Sequence, residues 1–287
     1  MEDFDRPGRF TDAGAYAPLL DALPADLAGI ARAGHGLLIH EHHTQRYGVN
    51  LSDTNRQTVH LRSVAELLAR IVERSDRPLD VPREPQRRVA GVCRHFTLFL
   101  VSVLRARGVP ARARCGFADY LAEGRYEDHW VAECWDAGRQ RWTLVDGQLD
   151  ERQRDLFGID FDVTDVPRDR FVVAGEAWLR CRAGGADPDA YGLAAAGEGG
   201  WWWIAGNLMR DAAALGGTEL LPWDAWGAMP RPHEPVDDER AALFDELARL
   251  TVDPDRRPEQ LCRLCADDRL RVPDRVHNLL REREEPL

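Results

Sequence analysis

A cysteine, a histidine and an aspartate, the residue types that together activate a sulfur nucleophile, follow one another within one stretch of this 287-residue chain. Cys93 stands in Gly91-Val92-Cys93-Arg94-His95-Phe96, ahead of an almost wholly apolar run from Phe96 to Leu104. Such a run suits a helix buried on most of its surface. Gly108 and Pro110 give the stop, one free to take positive φ and the other unable to continue the ladder. The helix is therefore expected to begin near Cys93, after the Gly91 break. A thiol at that place lies among unpaired N–H groups at the positive end of the dipole, which favours thiolate. Such a setting can lower a thiol pKa from about 8.5 to about 3.5–7.5.

The imidazole and the carboxylate come from two strand-length segments. Asp128-His129-Trp130-Val131-Ala132-Glu133-Cys134-Trp135 leads through Asp136-Ala137-Gly138 into Arg141-Trp142-Thr143-Leu144-Val145-Asp146-Gly147. Both are rich in aromatic and β-branched residues, and the pair reads as a β-hairpin. His129 begins one strand and Asp146 ends the other, so antiparallel pairing brings them to the same end. In such a set His129 takes the thiol proton, while Asp146 fixes its tautomer and stabilises the imidazolium. Asp128 and Asp150 compete for the carboxylate role. Asp128 would point to the opposite face of the strand from His129, and Asp150 lies outside the paired segment, which favours Asp146.

Gly-Val-Cys93-Arg-His-Phe, Arg107-Gly-Val-Pro-Ala-Arg, Asp128-His129-Trp-Val and Arg141-Trp-Thr-Leu-Val-Asp146, in that order, resemble the transglutaminase-like core of bacterial cysteine enzymes. The resemblance covers roughly residues 88–150. It implies a papain-like α+β fold, in which a central helix bearing the cysteine packs on an antiparallel sheet. It also implies a Cys–His–Asp triad acting on an amide or related acyl group, with those roles on Cys93, His129 and Asp146. One departure stands out. The family often places an acidic residue near the second position after the cysteine, where this chain has His95.

Composition narrows the remaining possibilities. A net charge of −11 argues against a nucleic-acid backbone or an anionic membrane as partner. No apolar run approaches the roughly 18–20 residues of a membrane span. The start, Met1-Glu2-Asp3-Phe4-Asp5, is acidic and lacks a signal pattern, so the expected location is cytoplasmic. Six cysteines in such a chain are expected to stay out of disulfides. All 38 basic residues are arginine, which excludes lysine Schiff-base chemistry.

The elements around the triad follow from local signals. Pro24-Ala25-Asp26 opens a short helix closing at Gly34–Gly36. His40, His42 and His43 with Glu41 suggest a metal site, but no H-E-x-x-H spacing exists, and surface or packing roles suit them better. Ser63-Val64-Ala65-Glu66 is a capping box for an amphipathic helix through Val72. The resemblance also implies a polar oxyanion donor upstream of the cysteine, beside its backbone N–H; Gln57, His60 and Tyr47 are candidates, and the role is left unassigned. Residues 111–120 alternate as a strand. Cys115 and Cys134 fall within strands as small apolar fillers. All nine tryptophans lie between Trp130 and Trp226. Trp201, Trp202, Trp203, Trp223 and Trp226 are expected either to pack or to form an aromatic wall over the site, with Asn207, Arg210 and Asp211 as polar groups on a following helix. Helices are expected at 238–250, 258–268 and 273–282. Cys262-Arg263-Leu264-Cys265 lacks the partner pair that a zinc site needs and reads as ordinary helix cysteines.

The expected organisation is a helical N-terminal segment (1–79), a transglutaminase-like catalytic core (80–170), and a Trp-rich, helical C-terminal segment (171–287). The expected substrate is a peptide, amide or small acyl compound, with no cofactor, no metal, no nucleic acid and no membrane. Oligomeric state is not legible. An arylamine N-acetyltransferase-like acyl carrier uses the same three residue types in the same order, but the chain shows no phosphate-binding loop for a coenzyme A donor. A non-catalytic binding module is the alternative outside enzymology, and it has no need of all three groups.

Overall fold

Cys93 is the first residue of a long helix, and the elements before it explain how it is held there. The computed structural model describes residues 4–287; Met1-Glu2-Asp3, part of the acidic start, lies outside the described residues. In chain order come α1 (Leu27–Leu37), β1 (Leu38–His40), α2 (Val64–Arg74), β2 (Val89–Gly91) and α3 (Cys93–Ala106). Then follow β3 (Ala111–Ala118), β4 (Tyr126–Asp136), β5 (Arg141–Val145), α4 (Glu151–Phe157), β6 (Phe171–Val173) and α5 (Ala174–Arg182). The chain finishes with β7 (Tyr191–Leu193), β8 (Glu198–Gly199), α6 (Trp201–Leu215), β9 (Asp224–Ala225), α7 (Asp238–Thr251), α8 (Pro258–Cys265), β10 (Arg275–Asn278) and β11 (Arg283–Pro286). The class is α+β.

These residues divide into two compact units. The cysteine unit holds the described residues up to 113 together with 131–166, and the histidine unit holds 114–130 and 167–287. In the cysteine unit β1 pairs with β2 in parallel, Leu38 opposite Val89 through His40 opposite Gly91. The later part of β4 pairs antiparallel with β5, from Ala132 opposite Val145 to Asp136 opposite Arg141. Every residue of α3 from Cys93 to Arg105 is buried, as the apolar run required. The capping box forms as read: Ser63 Oγ accepts from the Glu66 N–H, and Glu66 Oε2 accepts from the Ser63 N–H. In α1, Gly34 and Gly36 do not end the helix. Asp26 caps its start by accepting from the Gly29 N–H at 2.8 Å. A Cβ on Gly36 would come within 2.9 Å of Pro82 Cα, so that glycine admits a close neighbour rather than a turn.

In the histidine unit the strand order is β6-β3-β4-β7-β8. A buried ion pair fastens α6 to β3. Arg114 Nε and Nη2 donate to Asp211 Oδ1 and Oδ2 at 3.0 and 2.9 Å, and the Cys115 N–H donates to Oδ1 at 2.9 Å. One expected helix is not there. Residues 273–282 enter a hairpin in which β10 pairs with both β11 and β9. The reason is a period of two: Val276 and Asn278 are buried, while Arg275 is exposed. Asn278 Nδ2 and Arg281 Nη1 then reach Glu285 at 2.9 Å each, closing the turn. The helix expected at 258–268 forms as α8 and ends at Cys265.

Candidate active site

The ground under Cys93 is built from a neutral histidine, the Arg94 guanidinium and main-chain atoms. Val92 is extended, and α3 starts immediately after it. The first turn of a helix leaves N–H groups unpaired, and here His95 takes one: its Nδ1 accepts from the Val92 N–H at 3.2 Å. Its Nε2 lies 3.1 Å from the Leu61 carbonyl oxygen and must donate to it. These two partners fix the neutral Nε2–H tautomer. Burial pushes the His95 pKa down to about 3, with the Arg94 charge beside it acting in the same direction. A histidine thus does at the helix start what a carboxylate would do, without a negative charge. A Cβ on Gly91 would lie 3.0 Å from His95 Cβ and 3.1 Å from Cγ, so glycine leaves room for the ring.

β2, which delivers the chain to Cys93, is held from the side by residues far back in sequence. Asn55 Oδ1 accepts from the Ala90 N–H, and its Nδ2 donates to the Arg88 oxygen, each at 3.1 Å. Thr58 Oγ1 lies 2.7 Å from the Ala90 oxygen. Arg94 Nη2 donates to the Arg62 oxygen. Asn55 and Thr58 escaped the sequence reading because nothing in periodicity or motif marks a lone asparagine as a strand clamp.

Asp146 is the first residue past the β4–β5 ladder and is fully buried. Its N–H donates to the Val163 oxygen at 2.8 Å, and its Oδ1 accepts from the Gln148 N–H at 3.0 Å. The following carbonyl, of Gly147, accepts from His35 Nε2 at 3.0 Å. Burial lowers the His35 pKa, against the charges of Asp150 and Asp146. A Cβ on Gly147 would lie 3.5 Å from Leu100 Cδ2, so this turn packs directly on α3. Asp150 has separate employment. It caps α4 by accepting from the Gln153 N–H at 3.0 Å, and it accepts from the Tyr47 hydroxyl at 2.7 Å. Burial and that bond push the Tyr47 pKa up to about 12, which keeps the phenol a donor. Asp150 followed three residues on by Gln153 is a cap signature that could have been read from sequence.

Of the oxyanion candidates, Tyr47 is thus committed to Asp150, Gln57 is exposed and His60 is half-buried. His40 caps the turn that follows it, its Nδ1 accepting from the His42 N–H at 3.3 Å, and the His40 and His43 rings lie 4.9 Å apart. Among the described residues no group of three or more His, Cys, Asp or Glu side chains is placed to hold a metal ion. Cys115 and Cys134 are buried in β3 and β4, and burial pushes the Cys134 thiol far up.

In the histidine unit His129 is buried at the fourth position of β4, not its first, because Tyr126 and Glu127 pair with β7. Its ring meets the Tyr120 and Phe171 rings edge-on, at 6.1 and 6.4 Å between centroids. Asp128, on the opposite strand face, accepts from Trp203 Nε1 at 3.1 Å and from Asn207 Nδ2 at 2.9 Å. Arg210 Nη1 donates to Asn207 Oδ1 at 3.1 Å, and Nη2 to the Asp224 oxygen at 3.1 Å. Burial raises the Asp128 pKa and lowers that of Arg210, each opposed by the other's charge. Trp201, Trp202 and Trp203 are half-buried, with Trp202 between Trp203 and His233 at 4.9 and 5.4 Å. Trp223 and Trp226 are buried, and Trp226 Nε1 donates to the Leu270 oxygen at 3.0 Å.

Residues 55–147 match the transglutaminase-like superfamily, about a third of the chain and a span that contains Cys93, His129 and Asp146. Among solved structures, the chain is similar to a candidate cysteine protease from Cytophaga hutchinsonii, at 18% identity and a TM-score of 0.33. That similarity covers 59% of this chain and 44% of the other. No curated protein sequence matches this one. Among the described residues no helix is long and apolar enough to cross a membrane.

Proposed function

We propose that this protein is a cysteine-dependent enzyme acting on an amide or related acyl group, with Cys93 as nucleophile, His129 as base and acid, and Asp146 as the orienting carboxylate. The observation that carries the reading is the position of Cys93 as the opening residue of α3, within the superfamily match. The β4–β5 ladder runs as far as Ala132 opposite Val145, the residue before Asp146, which supports the carboxylate assignment. In the reaction His129 takes the Cys93 proton and the sulfur attacks the substrate carbonyl carbon. The tetrahedral adduct collapses with cleavage of the C–N bond as His129 protonates the departing amine. Water or a second amine then attacks the thioester, giving its proton to His129 and releasing the Cys93 thiolate. Hydrolysis follows in the first case and acyl transfer in the second. A peptide, an amide or a small acyl compound fits this chemistry.

The test is Cys93→Ala against Asp146→Asn and Asp150→Asn. Cys93→Ala should abolish turnover with the fold intact, since a thiol at a helix start leaves little void. Retained turnover on any substrate of the wild type removes Cys93 from the role. Asp146→Asn should slow iodoacetamide alkylation of Cys93 at pH 6, whereas Asp150→Asn should leave it near wild type. The reverse pattern transfers the carboxylate role to Asp150.

A further inference from the structure

The polar groups of α6 that face β4 do not reach solvent. Asn207 is fully buried and Arg210 is 5% exposed. With Trp203 they form a stripe at i, i+4 and i+7, one face of a helix, and that face meets Asp128. Both Asp128 oxygens are taken: Oδ2 by Trp203 Nε1, Oδ1 by Asn207 Nδ2. Arg210 holds the amide of Asn207 from behind, and this fixes which way that amide points, because Oδ1 must face the guanidinium and Nδ2 the carboxylate. Gly206 makes space for it, since a Cβ there would lie 3.0 Å from Arg210 Nη1. Arg210 is itself moored to the Asp224 oxygen at 3.1 Å and to Met229 Sδ at 3.5 Å.

The residue so anchored immediately precedes His129. Successive side chains on a strand point to opposite faces, so clamping the Asp128 side chain sets the rotation of the backbone that aims the His129 ring. On its own face that ring is bounded edge-on by the Tyr120 and Phe171 rings. We infer that Asp128, Asn207, Arg210 and Trp203 are positioning residues for His129, an anchor on the back of its strand, rather than groups that touch substrate. The inference rests on the proposed role of His129, but its geometry can be judged separately.

The experiment uses the full-length protein labelled with ¹³C,¹⁵N-histidine, with the His129 imidazole signals assigned by His129→Gln, and site-resolved alkylation of Cys93 by iodoacetamide at pH 6. Trp203→Phe removes one donor to Asp128 and keeps the aromatic bulk. Trp178→Phe is its matched control, because Trp178 Nε1 donates to Asp245 Oδ1 at 2.8 Å elsewhere in the same unit. Trp203→Phe and Asn207→Ala should each shift or broaden the His129 signals and slow alkylation about tenfold, a modest figure for a misplaced catalytic group. Trp178→Phe should change neither, at a similar loss in thermal midpoint. Unchanged His129 signals in Trp203→Phe, or equal changes in Trp178→Phe, overturn the anchor; Trp203→Phe decides the matter if Asn207→Ala does not fold. If the His129 signals move while His129→Gln itself leaves alkylation untouched, the anchor stands and the role of His129 falls.

Discussion

The start of α3, which carries Cys93, and the stretch of β4 that carries His129 are held by different means. Around Cys93 the fastening is by a tautomer-locked histidine, an asparagine, a threonine hydroxyl and the Arg94 guanidinium, each on main-chain groups rather than on a carboxylate. Around His129 it is ionic, with Asp128 facing Arg210 through Asn207, and Asp211 gripping Arg114 further along the same helix. The difference has a physical sense under the proposed chemistry. A thiolate is an anion, and a carboxylate placed two residues after it would raise its energy through repulsion at low dielectric. His95 caps the helix without adding that charge. An imidazolium is a cation, and carboxylates on its strand do it no such harm.

The contrast can be broken most decisively at its ionic end. Asp211→Ala leaves the fully buried Arg114 guanidinium without its bidentate partner, and losing one member of a buried pair costs about 3–5 kcal/mol. Urea unfolding should show that loss, and a change below 1 kcal/mol would mean the pair fastens nothing. At the Cys93 end the signature is in acid. An unfolded histidine titrates near 6.5, so below that pH the unfolded chain binds a proton that folded His95 refuses until about pH 3. Stability therefore falls as pH drops through this window, by about 2 kcal/mol at pH 5 from this group. His95→Gln keeps an acceptor for the Val92 N–H and should lose that part of the slope; an identical slope in both proteins would show His95 to be protonated in the fold. The smallest effect belongs to Asn55→Ala, which strips the Ala90 N–H and the Arg88 carbonyl of their partner and should cost about 1.5 kcal/mol. Should it also leave Cys93 alkylation unchanged, the clamp on β2 serves stability alone.

Much of the cysteine side was open to reading from residues, because its signals are local. An apolar run bounded by Gly91 and Gly108 sets the limits of α3, and Ser63 with Glu66 gives α2 its start. What stayed hidden came from long range. The partners of β2 sit some thirty residues upstream, and Asn207 and Arg210 looked like free polar groups on a helix because sequence shows neither Asp128 opposite them nor their burial. The hairpin at 275–286 was missed for another reason. Its alternation spans only four residues between charged neighbours, too short to outweigh the helix-like composition around it.

Gly91 and His95 also constrain how this sequence can change over time. The ring is held at both nitrogens, so a methyl group at 91 would press on His95 Cβ and Cγ, at 3.0 and 3.1 Å, where little can give way. Another side chain at 95 would ease the contact with Cγ and the ring but not the one with Cβ, which every residue except glycine carries. The two positions are therefore coupled: the cost of an alanine at 91 depends on what stands at 95.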